Sequence, residues 1–290
     1  MDPKSPGRFL PGLIILCSVF IGIVLMAGCS SLAVLGDRSR FAGDIADKAG
    51  FSREYIKIDD FTLLTCKKIT RPGGRVRIYI EGDGNAWQTK RRLSDDPTPR
   101  RPVALYLAIE DPSDNVVYIA RPGQFSQNGS VSCDPVYWSS KRFSPEVVDV
   151  FNEAINKVKA DAGAPDIELI GYSGGGAIVI LSAARRNDVS AIYTVAGNLS
   201  SRALCSYHSV SQLDGSTDPL DVALKVAEIP QRHFVSANDD TVPVFIAESF
   251  AEKIGDQGHE SVTVVAGTTH TAGWRKAWSS LINTPLYKNK

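Results

Sequence analysis

Between Ile167 and Ile180 the chain reads IELIGYSGGGAIVI, a serine set among glycines with a β-like run before it and a helix-like run after it. A serine hydroxyl attacks a carbonyl only where its oxygen is exposed, a base takes its proton and donors receive the oxyanion. A strand, tight turn and helix around Gly-x-Ser-x-Gly supply the first of these and part of the third. Ser173 is therefore the candidate nucleophile, with Gly171 and Gly175 at points where close backbone approach forbids a side chain. The alternative is a plain strand-to-helix turn.

The base must come from four histidines, at positions 208, 233, 259 and 270. A parallel sheet selects among them, because only the C-terminal ends of its strands face such a serine. His233 opens a β-like run and His259 lies just before one, so both belong to the opposite end. His208 falls in a segment that could cover the site and suits a lid or surface role. His270 follows the last β-like run, in GTTHTAGW, and is the candidate base. An imidazole in that role needs a carboxylate to hold its tautomer; the strand RHFVSAND ends in Asp239, with Asp240 next, directly before TVPV.

The elements that must position these groups follow from periodicity. EYIKI and FTLLTCKKI flank Asp59–Asp60 and read as an N-terminal antiparallel hairpin. From Arg75 onward six β-rich runs (RVRIYIEG, NVVYIARP, DIELIGY, SAIYTVAG, RHFVSAND and SVTVVAG) alternate with helical ones, the spacing of a mostly parallel sheet with helices on both faces. The helical runs include PVALYLAI, SPEVVDVFNEAINKVKA with Ser144 as N-cap, a mixed segment DPLDVALKVAEI, PVFIAESFAEKI and GWRKAWSSLI.

With these motifs in order, the chain resembles the α/β-hydrolase superfamily, whose chain order Ser, Asp, His is met by Ser173, Asp239 and His270. Many members read Asp-x-x-Val-Pro after the acid strand, and in that frame DDTVP makes Asp239 the acid and Asp240 a surface or capping carboxylate. The resemblance also implies the oxyanion donors: the backbone N–H of Gly174 and that of Asp83, in IEGDGNAW, with Gly84 as the substitute. Two carboxylates in that loop would repel an oxyanion, so the Asp83 side chain is expected to bond to nearby backbone instead. A Ca²⁺ site from Asp83 and Asn85 has few ligands. EGDGNAW, ARPGQ and GYSGGGA together are similar to a group of uncharacterised bacterial hydrolases. Trp87, Phe125, Tyr137 and Trp138 either line an acyl pocket or pack as core and rim. The triad implies no metal or organic cofactor.

Composition bounds the partners. Lys and Arg number 32 and so do Asp and Glu, so no basic excess exists for nucleic acid. Lys4 and Arg8 precede FLPGLIILCSVFIGIVLMAGCS, which reads as an export signal. Its end, LMAGCS, resembles a bacterial lipobox, with Met26 where leucine is usual. Cleavage would leave a lipidated Cys29 first, and Ser30 after it favours the outer membrane. An uncleaved anchor helix is the alternative, since the run has about the length of a bilayer core. The expected organisation is a signal peptide over 1–28, a tether and lead-in over 29–53, and the hydrolase domain over 54–290. Of the cysteines left in that domain, Cys133 and Cys205 form the pair that an oxidising compartment would bridge; three buried thiols, with Cys66, are the alternative.

The resulting expectation is a lipid-tethered serine hydrolase of the bacterial envelope, facing the periplasm, that acts on a small-molecule acyl ester. An acyltransferase with the same triad, or an envelope lipoprotein that keeps the fold without turnover, are the rivals. Cys29→Ser should leave unprocessed precursor in the membrane fraction; normal maturation of that variant would exclude lipidation.

Overall fold

Strands buried on both faces read as continuous apolar runs, because helices cover each side of the sheet. The computed structural model describes residue 38 and residues 40–89, 91–125 and 134–289. A helix α1 (residues 40–48) leads into the hairpin β1 (Ser52–Ile58) and β2 (Phe61–Ile69), followed by β3 (Val76–Ile80). Next come a short ribbon, β4 (Trp87–Thr89) and β5 (Arg92–Leu93), then α2 (Val103–Glu110), β6 (Asn115–Ile119) and α3 (Pro145–Ala162). The second half holds β7 (Ile167–Tyr172), α4 (Gly174–Ala183), β8 (Val189–Val195), α5 (Ser201–Tyr207), β9 (Gln231–Val235), α6 (Phe245–Lys253), β10 (Val262–Val264) and α7 (Trp274–Leu281).

Eight strands form one sheet in the order β1-β2-β6-β3-β7-β8-β9-β10. β2 runs antiparallel to β1 and β6, and every other pairing is parallel. The register places Ile80 beside Gly171 and Tyr172 beside Val195, so β3, β7 and β8 end together at one edge. Side chains alternate across the sheet. Ile78 and Ile80 join α3, α4 and α6 in one core, whereas Tyr79 joins α2 and α7 in the other.

Local chemistry accounts for the ends of the elements. Asp59 takes φ 49° in the turn of the hairpin, which a short polar side chain tolerates. Ser144 accepts from the N–H of Val147, Pro145 fills the first helical turn, and Gly163 closes α3 at φ 61°. α2 starts after Pro102, which has no side-chain cap. The carboxylate of Glu81, fully buried at the end of β3, replaces it by accepting from the N–H groups of Gly82 and Ala104 and from the Tyr118 hydroxyl.

Three segments differ from the sequence reading. DPLDVALKVAEI coils into a 3₁₀ helix over Pro219–Val226, started by Asp218 and Pro219, instead of an α-helix. The ribbon β4–β5 and the helix α5, capped by Ser200, were not anticipated. Cys66 and Cys205 are buried free thiols, and Cys133 lies outside the described residues, as do the export segment and Cys29. Among the described residues no helix is long and apolar enough to cross a membrane.

Burial pushes the Glu81 carboxyl from its ordinary 4.5 up to about 7, against the lowering effect of the N–H groups it accepts from. Between those values the folded chain holds a proton that the unfolded chain has released, so stability falls as pH rises from about 4.5 to about 7. One proton gives a slope of at most about 1.4 kcal/mol per pH unit. Glu81→Gln should flatten this part of the profile in urea unfolding measured from pH 4.5 to 8.

Candidate active site

The C-terminal ends of β7, β9 and β10 each deliver one polar group to the same place. Leaving β7, the backbone turns at Ser173 with φ 50° and ψ −118° before α4 begins. Such an arrangement lifts the side chain clear of the sheet edge. Its own N–H donates to Val195, and its carbonyl accepts from Gly176 and Asn198. A side chain at Gly175 would lie 2.2 Å from the carbonyl oxygen of Ile80, and one at Gly174 would lie 2.1 Å from Asp83 Oδ1. Glycine is required at Gly175, where the neighbours are backbone carbonyls; at Gly174 the neighbour is the Asp83 side chain.

His270 comes from the loop between β10 and α7. Its Nε2 lies 3.1 Å from Ser173 Oγ and its Nδ1 lies 2.8 Å from Asp239 Oδ2. The carboxylate can only accept, so Nδ1 carries the proton and Nε2 is left to accept from the serine. The loop is clamped: the His270 carbonyl accepts from the Tyr172 hydroxyl and from Trp274 Nε1, and Ser236 Oγ donates to the carbonyl of Thr268. Asp239 has a fully buried side chain whose other oxygen accepts from the N–H groups of Thr241 and Val242. Asp240, next along, is exposed.

The other histidines are elsewhere. His233 is buried in β9, where Nδ1 meets Thr194 Oγ1 at 2.9 Å and burial pulls its imidazole down to about 3. His259 pairs with Glu252. His208 closes α5 and bonds through Nε2 to the carbonyl of Thr241, on the wall of a cleft of about 270 Å³ that opens at Ser173.

Asp83 and Gly174 both line that cleft. The N–H of Gly174 is the first of α4, one of the four that find no partner inside a helix. The expectation for the Asp83 side chain is corrected: it accepts from Arg121 and pairs with the charge of Arg142, not with backbone. Oδ1 lies 3.3 Å from Arg121 Nη1 and Oδ2 lies 3.3 Å from Arg142 Nε. Arg121 is fully buried, its plane against Phe143 and Phe151, and burial draws its guanidinium down to about 10, still charged at neutral pH. Asn85 donates through Nδ2 to Ser94 Oγ.

Only Trp87 of the four aromatics lines the cleft. Phe125 and Trp138 are core, and Tyr137 stacks edge-on against Phe61. Sequence reading missed Arg142, Asn198 and Leu204 as cleft residues. The GN that follows SAIYTVA was the available signal for Asn198, since it comes after a strand at the same end of the sheet as Ser173.

No protein-family model matches this chain, and no curated protein matches it. Solved structures do. The acylaminoacyl peptidase of Pyrococcus horikoshii aligns at TM-score 0.57 and 15 % identity, over 83 % of this chain and 42 % of its own. The chain thus spans less than half the length of that peptidase. Est1E from Butyrivibrio proteoclasticus aligns at 0.53 and 13 % identity, over 79 % of this chain and 95 % of its own. An esterase of Pyrococcus furiosus aligns at 0.53 and 13 % identity, over 80 % and 88 %. With the strand order described above, these likenesses show that the chain has the α/β-hydrolase fold.

Removing one member of a buried ion pair leaves the other uncompensated, which costs on the order of 3–5 kcal/mol. Asp83→Asn should therefore lower unfolding stability by about that amount, read from the urea midpoint at constant m-value. A loss under about 0.5 kcal/mol, the range of an ordinary surface change, would mean that Arg121 does not depend on this carboxylate.

Proposed function

We propose that this chain is a serine hydrolase that cleaves a carboxylic ester through an acyl-Ser173 intermediate. The observation that carries the reading is the unbroken chain of contacts from Asp239 Oδ2 to His270 Nδ1 at 2.8 Å and from His270 Nε2 to Ser173 Oγ at 3.1 Å. Ser173 Oγ attacks the ester carbonyl as His270 Nε2 takes its proton. The carbonyl electron pair moves onto oxygen, between the N–H groups of Gly174 and Asp83. The intermediate collapses by breaking the carbon–alkoxide bond, and His270 returns the proton to the departing oxygen. Water then gives its proton to Nε2 and attacks the acyl carbon, and Ser173 leaves with that proton.

Asp239 stays ionised throughout and stabilises the imidazolium. The similar Pyrococcus furiosus protein is an esterase, and an alkoxide needs less help in leaving than an amine does. In this reading the enzyme works at the bacterial envelope, tethered by lipid on Cys29, as the LMAGCS segment supports. Its substrate is a small acyl ester.

A fluorophosphonate should label Ser173 stoichiometrically, since only a serine with an adjacent base and oxyanion donors reacts quickly. Labelling should vanish in Ser173→Ala and slow by orders of magnitude in His270→Ala, and adding Asp239→Asn to the latter should change little. Asp240→Asn should be silent. A folded wild type that does not label overturns the proposal.

A further inference from the structure

Two guanidinium groups face one carboxylate beside the nucleophile. Asp83 is within ion-pair distance of both Arg121 and Arg142. Arg121, with only 4 % of its side chain exposed, sits behind the cleft wall and stands against the rings of Phe143 and Phe151. Arg142 lines the cleft itself. Its side chain is 13 % exposed, its guanidinium lies 5.4 Å from the centre of the Phe143 ring, and Asp83 is its one carboxylate partner among the described residues. Glu81, the other carboxyl near Arg121, is turned toward α2 and does not line the cleft. Among the described residues one positive charge is therefore left over in a largely desolvated wall, a costly arrangement unless an anion completes it.

The same wall holds a second unsatisfied group. Asn198 is 2 % exposed, lines the cleft, and its side-chain oxygen is buried with no hydrogen-bond partner. Arg142 Nε likewise has no partner of good hydrogen-bond geometry despite its distance of 3.3 Å from Asp83. The rest of the lining is largely apolar, with Ala86, Leu204, Val210 and Val242 among it. Charge and unmet polar atoms thus share one lining with Ser173 and Gly174.

We propose that Arg142, with Asn198 beside it, forms a specificity subsite for an acyl group that carries a carboxylate, so that the preferred substrates are monoesters of short dicarboxylic acids. This rests on the serine-hydrolase reading of the same cleft. An incoming carboxylate would accept from the Arg142 guanidinium, which lines the cleft, and balance the leftover charge. The Asn198 amide, in either orientation of its oxygen and nitrogen, would serve the acid or a hydroxyl beside it.

The test compares kcat/KM for p-nitrophenyl butyrate with that for mono-p-nitrophenyl succinate and glutarate, in wild type, Arg142→Lys and Arg142→Met. Wild type should favour the better anionic ester over butyrate by about tenfold or more, the ordinary contribution of a charge-assisted hydrogen bond. Arg142→Met should erase the ratio, and Arg142→Lys should keep part of it. Neutral fluorophosphonate labelling of each variant counts competent sites and separates the two hypotheses. A wild type that fails to label defeats the underlying serine-hydrolase reading. If it labels but shows no anionic preference, only the subsite proposal falls. The subsite proposal also falls if both ester classes decline in step in Arg142→Met, since that is the mark of a purely structural arginine.

Discussion

The bend at Ser173 is the constraint around which the sheet edge is arranged. A serine held at φ 50° costs on the order of 1–3 kcal/mol and persists only where its surroundings over-determine it. Here the surroundings are three strands and a helix. The Ser173 N–H is spent on Val195 and its carbonyl on Gly176 and Asn198, so β8, α4 and the loop after β8 all lock the same peptide. Gly175 lets α4 press against the last carbonyls of β3. The conformation that exposes the nucleophile is thus inseparable from the β3-β7-β8 register.

Placing the base opposite that serine requires two further loops to agree. Asp239 sits in a tight turn where its own carboxylate accepts from two successive N–H groups, which fixes one oxygen and leaves the other aimed at His270. The His270 backbone is held from the other side by Tyr172 and Trp274 through a single carbonyl. Tyr172 precedes the nucleophile directly, so β7 positions both the serine and the loop that carries its base. Asp240, though adjacent to Asp239, receives none of these bonds and is exposed. The difference between the two carboxylates comes from the turn, not from residue type.

Features that repeat locally were legible in the amino-acid sequence. Continuous β-branched runs with helical stretches between them marked the parallel sheet. Ser144 and Pro145 marked the start of α3, and the requirement that the site occupy C-terminal strand ends separated His270 from His233 and His259. Features that depend on partners far apart in the chain were not legible. Arg121 and Arg142 meet Asp83 across separations of 38 and 59 residues in sequence, and nothing near Asp83 indicates that its side chain turns to them in place of the backbone. The aromatics failed for the same reason: Trp87, Phe125, Tyr137 and Trp138 look alike as loop residues, and only the tertiary path of the loop puts Trp87 on the cleft and Trp138 in the core. DPLDVALKVAEI has helical spacing, but the Asp218–Pro219 start and tight packing against α4 and α6 hold it as 3₁₀ turns.

The loop after β3 contains two carboxyls, Glu81 and Asp83, next to the place where the proposed reaction would form a negative oxyanion. At about 4 Å and an effective dielectric of about 20, one uncompensated carboxylate would oppose that charge by roughly 4 kcal/mol, enough to cancel the gain from an oxyanion donor. The fold resolves the two cases by different physics. Glu81 is taken out of water altogether, used to cap α2, and burial raises its affinity for a proton so that its charge is diminished near neutral pH. Asp83 keeps its place above Gly174 and is overmatched by two guanidinium groups. In the proposed mechanism the oxyanion would then lie beside a cluster whose net sign is positive, and the backbone N–H groups would act with that charge instead of against it. An aspartate in this loop is consequently tolerable only together with Arg121 and Arg142, which makes the three residues a single electrostatic unit although they come from three separate parts of the chain.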